Sequence, residues 1–244
     1  MVAGIRRVSN VPPQEERSLV SDRVFRSLSE DVLSGRYAPG EKLPTQRRIA
    51  ADLGVNMASV REAVKRLEQL RLVDVRHGDA MRVTDWRSHG GLDVIAALLA
   101  RAGEVERDTL NAILEARRLM LFAVGGLAAQ RRTDEQAARL RELAARMAEV
   151  TDQEAAQSVD FAFMSDLVEA ADNLVLVLVM NSIRVIYFER PTLFAAVVSE
   201  HAELVPLYRR IADAVEQGDP GSAAAAVGEL AAAQEARVLS SVPS

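Results

Sequence analysis

A chain of 244 residues with 49% hydrophobic and 27% charged residues has the balance of a folded globular protein, with room for one large core or two modest ones. It has no cysteine, which excludes disulfides, Cys-ligated zinc and thiol chemistry, and its 4% aromatic content among many alanines and leucines argues against an all-β fold. The net charge of −5 hides an asymmetry: residues 1–87 hold 16 Lys and Arg against 12 Asp and Glu, residues 88–244 hold 14 against 23, so only the first part suits phosphate.

Residues 1–17, with Pro12-Pro13 and mixed charge, show no apolar period and read as a flexible tail. Arg6, Arg7, Glu15, Glu16 and Arg17 also interrupt any signal-peptide core. No apolar run approaches the roughly 20 residues of a membrane span, so a cytoplasmic protein without a membrane partner is expected. Leu19, Val20, Val24, Phe25, Leu28 and Val32 then recur at helical spacing up to a Gly35 cap, and Pro39-Gly40 marks a turn. Thr45 is placed to cap a short helix carrying Ile49, Ala50 and Leu53 inward, which Gly54 ends. Asn56 caps a third helix with an inward stripe of Val60, Ala63, Val64, Leu67 and Leu70. Two helices joined by the tight Gly54-Val55 turn make a helix-turn-helix. After Arg71 the period falls to two: Val73 and Val75, then Met81 and Val83, flank a turn at His77-Gly78-Asp79, a β-hairpin wing.

Gly90-Gly91 is the best boundary in the chain, and everything beyond it reads as helix. Segments near 92–102, 107–131, 134–150, 152–171, 174–189, 192–217 and 220–240 are separated by Gly103, Asp172-Asn173, Pro191 and Gly218-Asp219-Pro220. The predicted fold is mainly α: a winged helix-turn-helix over 18–87, a linker and connecting helix over 88–105, and a bundle of about seven helices in all, its effector-binding and dimerisation part over 106–240.

Removing the inward stripe of the third helix leaves Met57, Ala58, Ser59, Arg61, Glu62, Lys65 and Arg66 facing outward. A capped helix between a short helix and a wing lays its first turns in a major groove. Asn56 and Ser59 then suit phosphate or base edges, and Arg61 offers the planar fork that fits guanine or phosphate. Lys65 and Arg66 add positive charge, Arg47 is placed to reach the backbone or an adjacent base from the preceding helix, and His77 and Gly78 form a wing tip small enough for a minor groove.

Val24-Phe25 through Leu33, Gly35-Arg36-Tyr37-Ala38-Pro39-Gly40-Glu41-Lys42-Leu43-Pro44-Thr45, Ala50-Ala51-Asp52-Leu53-Gly54-Val55 and Val60-Arg61-Glu62-Ala63-Val64-Lys65-Arg66-Leu67 resemble the DNA-binding domain of the GntR family of bacterial transcription regulators. The resemblance implies DNA contacts from Arg47, Asn56, Ser59, Arg61 and the His77-Gly78 tip, on a palindromic operator bound by a homodimer. Asn56-Met57 departs from the family's Ser/Thr-Arg opening, which leaves the operator sequence open.

Glu115-Ala116-Arg117, Asp160-Phe161-Ala162-Phe163 and Ala170-Ala171-Asp172-Asn173 resemble the helical effector domain of the FadR-type branch. Many relatives hold a divalent metal there through one Asp and three His. Here Asp160 is followed one turn on by Met164, the next position falls at Tyr208, the last at Glu229 or Leu230, and His201 stands alone, so no metal and no cofactor is expected. The metal-free branch, typified by the fatty-acid regulator FadR, binds long-chain acyl-CoA. Apolar helices such as Leu174 to Met180 suit an acyl chain, with Arg117, Tyr187 and Tyr208 as anchors for the head group of an acyl-CoA or fatty acid. A small carboxylate or sugar acid is the alternative effector. An enzyme built on the bundle is disfavoured, because His77, His89 and His201 are scattered and no Gly-rich phosphate loop is present.

Overall fold

A computed structural model of the chain describes residues 14–75, 81–99, 107–189 and 195–241. Helix α1 (Gln14–Leu33) starts directly after Pro12-Pro13, earlier than the apolar period indicates. Gln14, Glu15, Glu16 and Arg17 are strong helix formers, and a polar first turn leaves no hydrophobic signature. The same end of the helix is less buried than its periodicity suggests, with Leu19 67% exposed.

Helices α2 (Gln46–Asp52) and α3 (Met57–Gln69) follow, joined at Gly54 by a positive φ of 62° that residues with a Cβ rarely adopt. Leu53 does not point inward as its spacing predicts: it closes α2 as its C-terminal cap and is 40% exposed. Strands β1 (Val73–Asp74) and β2 (Arg82–Val83) pair antiparallel with Val73 opposite Val83 and Asp74 opposite Arg82. The segment after Pro39 joins them, since Gly40 donates to the Val83 carbonyl, Val83 to Glu41, and Leu43 to Met81. Short helices α4 (Trp86–His89) and α5 (Asp93–Leu99) complete this part.

The chain divides into two compact units, Met1–Gly103 and Glu104–Ser244. The first core gathers Val24, Leu28 and Val32 of α1, Ile49 of α2, Val60, Ala63, Val64 and Leu67 of α3, and Leu72, Val83 and Met81 of the wing. Val94, Ala97 and Leu98 of α5 belong to it as well, so the first unit continues through Gly90-Gly91.

The second unit is all helix among its described residues: α6 (Arg107–Arg131), α7 (Asp134–Glu149), α8 (Gln153–Ala170), α9 (Leu174–Glu189), two 3-10 turns at Ala195–Val198 and His201–Glu203, α10 (Val205–Gln217) and α11 (Pro220–Ser241). The single helix expected over 192–217 is broken. Glu200 takes a left-handed φ of 51°, and α10 starts only at Val205 with Pro206 in its first turn. Proline has no N–H and crowds the carbonyl four residues back, so it opens a helix rather than continuing one. Helix α8 is the centre of the unit, buried on nearly all sides from Ala156 to Ala170. Helix α11 runs against α6 and packs tightly on it at Gly125, where a Cβ would come within 2.9 Å of the Ala223 carbonyl oxygen. No helix among the described residues is long and apolar enough to cross a membrane.

Candidate nucleic-acid interface and effector site

The Thr45 hydroxyl accepts from the Arg48 N–H at 3.2 Å and starts α2; the Asn56 side-chain oxygen accepts from the Ser59 N–H at 2.9 Å and starts α3. These caps fix where both helices begin and set the exposed face of α3 beside the first turn of α2. Arg47, Arg61 and Lys65 are exposed on these helices. Arg61 folds its Nε loosely toward the Met57 carbonyl at 3.4 Å, a contact that a groove would replace. Asn56 is exposed, with its oxygen committed to the cap, so its amide NH2 is the group left for a phosphate or base acceptor.

Two sequence-predicted contacts lie elsewhere. Ser59 is 1% exposed and its hydroxyl has no partner among the described residues. It sits four residues before Ala63 and eight before Leu67, on the buried stripe rather than the outward face. Arg66 turns back onto α1, where it pairs with Asp22 and lies 4.1 Å over the Phe25 ring. Asp22 and Phe25 are three apart on α1 and so present one face, which makes Arg66 a clasp between helices. Met57, in place of the family arginine, is half-buried against the same core. His77 and Gly78 lie outside the described residues.

The second unit carries a polar cluster in its apolar interior. Asp160 of α8 is 2% exposed and accepts on one oxygen from the Tyr208 hydroxyl at 2.5 Å and from Gln234 Nε2 at 2.8 Å. Gln234 of α11, itself 0% exposed, is 3.3 Å from the Tyr208 oxygen, and its carbonyl receives the Arg117 guanidinium of α6 at 2.5 Å. The Phe163 ring closes the cluster edge-on to Tyr208, with centroids 5.0 Å apart. Burying these groups is tolerable because they satisfy one another.

Of the predicted anchors, Arg117 and Tyr208 therefore meet in one site, while the Tyr187 side chain lies outside the described residues. Gln234 escapes a reading of the sequence that looks for charge. Its signal is placement: Ala223, Val227, Leu230, Ala231 and Val238 form the buried stripe of α11, and Gln234 is a polar residue in its midst. The apolar lining expected from Leu174 to Met180 is divided: Leu176, Val177 and Met180 pack on the core, whereas Leu174, Val175 and Leu178 face out, Leu174 at 72% exposure. The other positions considered for a metal are occupied otherwise. Glu229 forms a two-pronged pair with Arg210, Leu230 is buried, and the His201 ring lies 3.0 Å from the Val150 carbonyl.

A winged helix-turn-helix with exposed cations, carried on one chain with a helical domain that holds a buried polar site, defines the class of DNA-binding transcription regulators. Comparison agrees on both parts: the model for bacterial regulatory proteins of the GntR family matches residues 20–83, and that for the FCD domain matches residues 112–233. The HTH-type transcriptional regulator Mce2R of Mycobacterium tuberculosis is 38% identical over 216 residues, which is 88% of this chain and 89% of that protein. A fatty acid metabolism regulator protein of Erwinia tasmaniensis is 23% identical over 161 residues, 66% of each chain. The solved structure of Lar, described as controlling expression of the Listeria monocytogenes agr system, covers 91% of this chain and 97% of its own with a TM-score of 0.59 at 17% identity, a likeness of fold. The chain belongs to the GntR family of bacterial regulatory proteins and carries an FCD domain.

Proposed function

We propose that this regulator binds a palindromic operator as a homodimer, and that a long-chain fatty acyl-CoA or fatty acid in the helical domain modulates that binding. The observation that carries the effector reading is the cluster of Arg117, Gln234, Asp160 and Tyr208, a half-buried cation and its polar relay set against the apolar core of the bundle. A carboxylate or phosphate head group suits Arg117, and the leucines, valines and methionines of α8 and α9 suit an acyl chain. Similarity to a fatty acid metabolism regulator supports the same class of ligand. A homodimer follows from reach, because one short helix-turn-helix reads too few base pairs to select an operator alone. The ligand acts by population shift: it favours the arrangement of the two winged domains that does not match the half-sites.

The test is fluorescence polarisation of labelled DNA from upstream of the protein's own gene, with oleoyl-CoA, oleate or lactate added. Either lipid is expected to change the operator affinity by tenfold or more, on the order of 1.4 kcal/mol, while lactate leaves it unchanged. A response to lactate with none to either lipid would replace this reading with the small-acid one, for which the polar character of the cluster is also suited.

A further inference from the structure

Relatives with one Asp and three His at this place hold a divalent metal, and the residues here do not fit one. One turn after Asp160 stands the thioether of Met164, the Tyr208 phenol spends its proton on Asp160, and of the two residues at the last position Leu230 has no donor atom while both Glu229 oxygens are taken by Arg210. First-row divalent metals need imidazoles, thiolates or several carboxylates, and no group of three or more His, Cys, Asp or Glu able to hold one occurs among the described residues. The bond pattern shows what replaces it. Among the described residues, Gln234 touches Arg117, Asp160 and Tyr208 together, and an amide suits this because it accepts at one end and donates at the other.

We propose that Arg117, Gln234, Asp160 and Tyr208 form a metal-independent charge relay, with Gln234 as the pivot that balances the Asp160 carboxylate against the Arg117 guanidinium and ties α6, α8, α10 and α11 together. An anion drawn to Arg117 competes with the Gln234 carbonyl for the same N–H donors, so occupancy at α6 alters what Gln234 gives to Asp160. This last step rests on the reading of Arg117 as part of an effector site, but the test needs no effector.

The experiment is a charge swap in the full chain, followed by thermal unfolding. Gln234→Glu sets a second carboxylate against Asp160, and Asp160→Asn removes the charge that answers Arg117. Each single substitution is expected to lower Tm by about 3 to 10 °C. The double variant D160N/Q234E keeps one carboxylate, one amide and one guanidinium in the same line and is expected to recover at least half of the loss. If a single variant does not fold, recovery of folding in the double decides the same point. The Tm of the unsubstituted protein is expected to be indifferent to EDTA and to added Zn2+, Ni2+ or Mn2+. Single variants as stable as the parent, a double no better than the weaker single, or a metal-induced rise in Tm that Asp160→Asn abolishes would each overturn the proposal. A lipid that fails to move operator binding leaves all of these results unchanged, so the two readings fail separately.

Discussion

Arg61 and Arg66 lie five positions apart on one helix, and their surroundings give them opposite tasks. Arg61 is exposed and, among the described residues, held by a long contact to its own helix, so its guanidinium is available to a base edge. Arg61→Ala is expected to weaken operator binding by about 1 to 3 kcal/mol while affecting random DNA much less. Equal losses on both DNAs in a polarisation assay would make it a phosphate contact instead. Arg66 is pinned by Asp22 and the Phe25 ring. Arg66→Ala is expected to cost about 1 kcal/mol of folding stability, read from urea unfolding, with little direct effect on DNA affinity. The sequence did not separate the two, because helical spacing says which residues leave the core but not what a neighbouring helix offers them. Asp22 and Phe25 lie more than forty residues away, and nothing local marks them as partners of Arg66.

At the scale of elements, the helix pair α6 and α11 depends on the absence of a side chain. A Cβ on Gly125 would meet Val227 Cγ2 at 2.8 Å and the Ala223 carbonyl at 2.9 Å, and a backbone oxygen cannot step aside as a flexible side chain can. Gly125→Ala is expected to destabilise the protein by about 1 to 3 kcal/mol despite the better helix propensity of alanine, with the urea midpoint as the measurement. The start of α11 is sensitive to pH. The Ser222 hydroxyl and the N–H groups of Ser222 and Gly221 bond to Asp219 and hold its carboxyl below the ordinary range. A lowered folded-state value stabilises above the unfolded value and is lost as pH falls through the folded one. Urea midpoints at stepped acid pH should therefore fall more steeply for the parent than for Asp219→Asn, which keeps a capping oxygen without the charge.

Most elements were legible for a simple reason: caps and glycines are local signals. Thr45, Asn56 and Gly54 each act within four residues. The polar first turn of α1, the outward Leu53 and the break before Pro206 were not legible from apolar spacing, since none changes the hydrophobic period. In the helical domain Arg117 and Tyr208 stood out as polar groups, whereas their link through Gln234 joins α6, α8, α10 and α11, and no pattern within one helix contains it.

For the whole molecule, charge decides how binding responds to salt. In the proposed dimer, the exposed Arg47 and Lys65 of each protomer, if set against phosphate on both half-sites, would engage at least four phosphates. A plot of log affinity against log salt is then expected to have a slope of about −3.6 or steeper. A slope no steeper than about −2, measured by polarisation over a salt series, would mean that only one winged domain engages the DNA. The acidic helical domain, with its excess of Asp and Glu, is expected to disfavour phosphate contacts that the winged domain does not organise.

The seating of α5 bears on how any message leaves or reaches the DNA-binding part. Val94, Ala97 and Leu98 are buried with the residues that hold α1 and α3 in place. The segment after Gly91 is thus rooted through α5 in the winged domain's own interior. A fragment cut at Arg87 would lose the part of the packing beneath α3 that Val94, Ala97 and Leu98 supply.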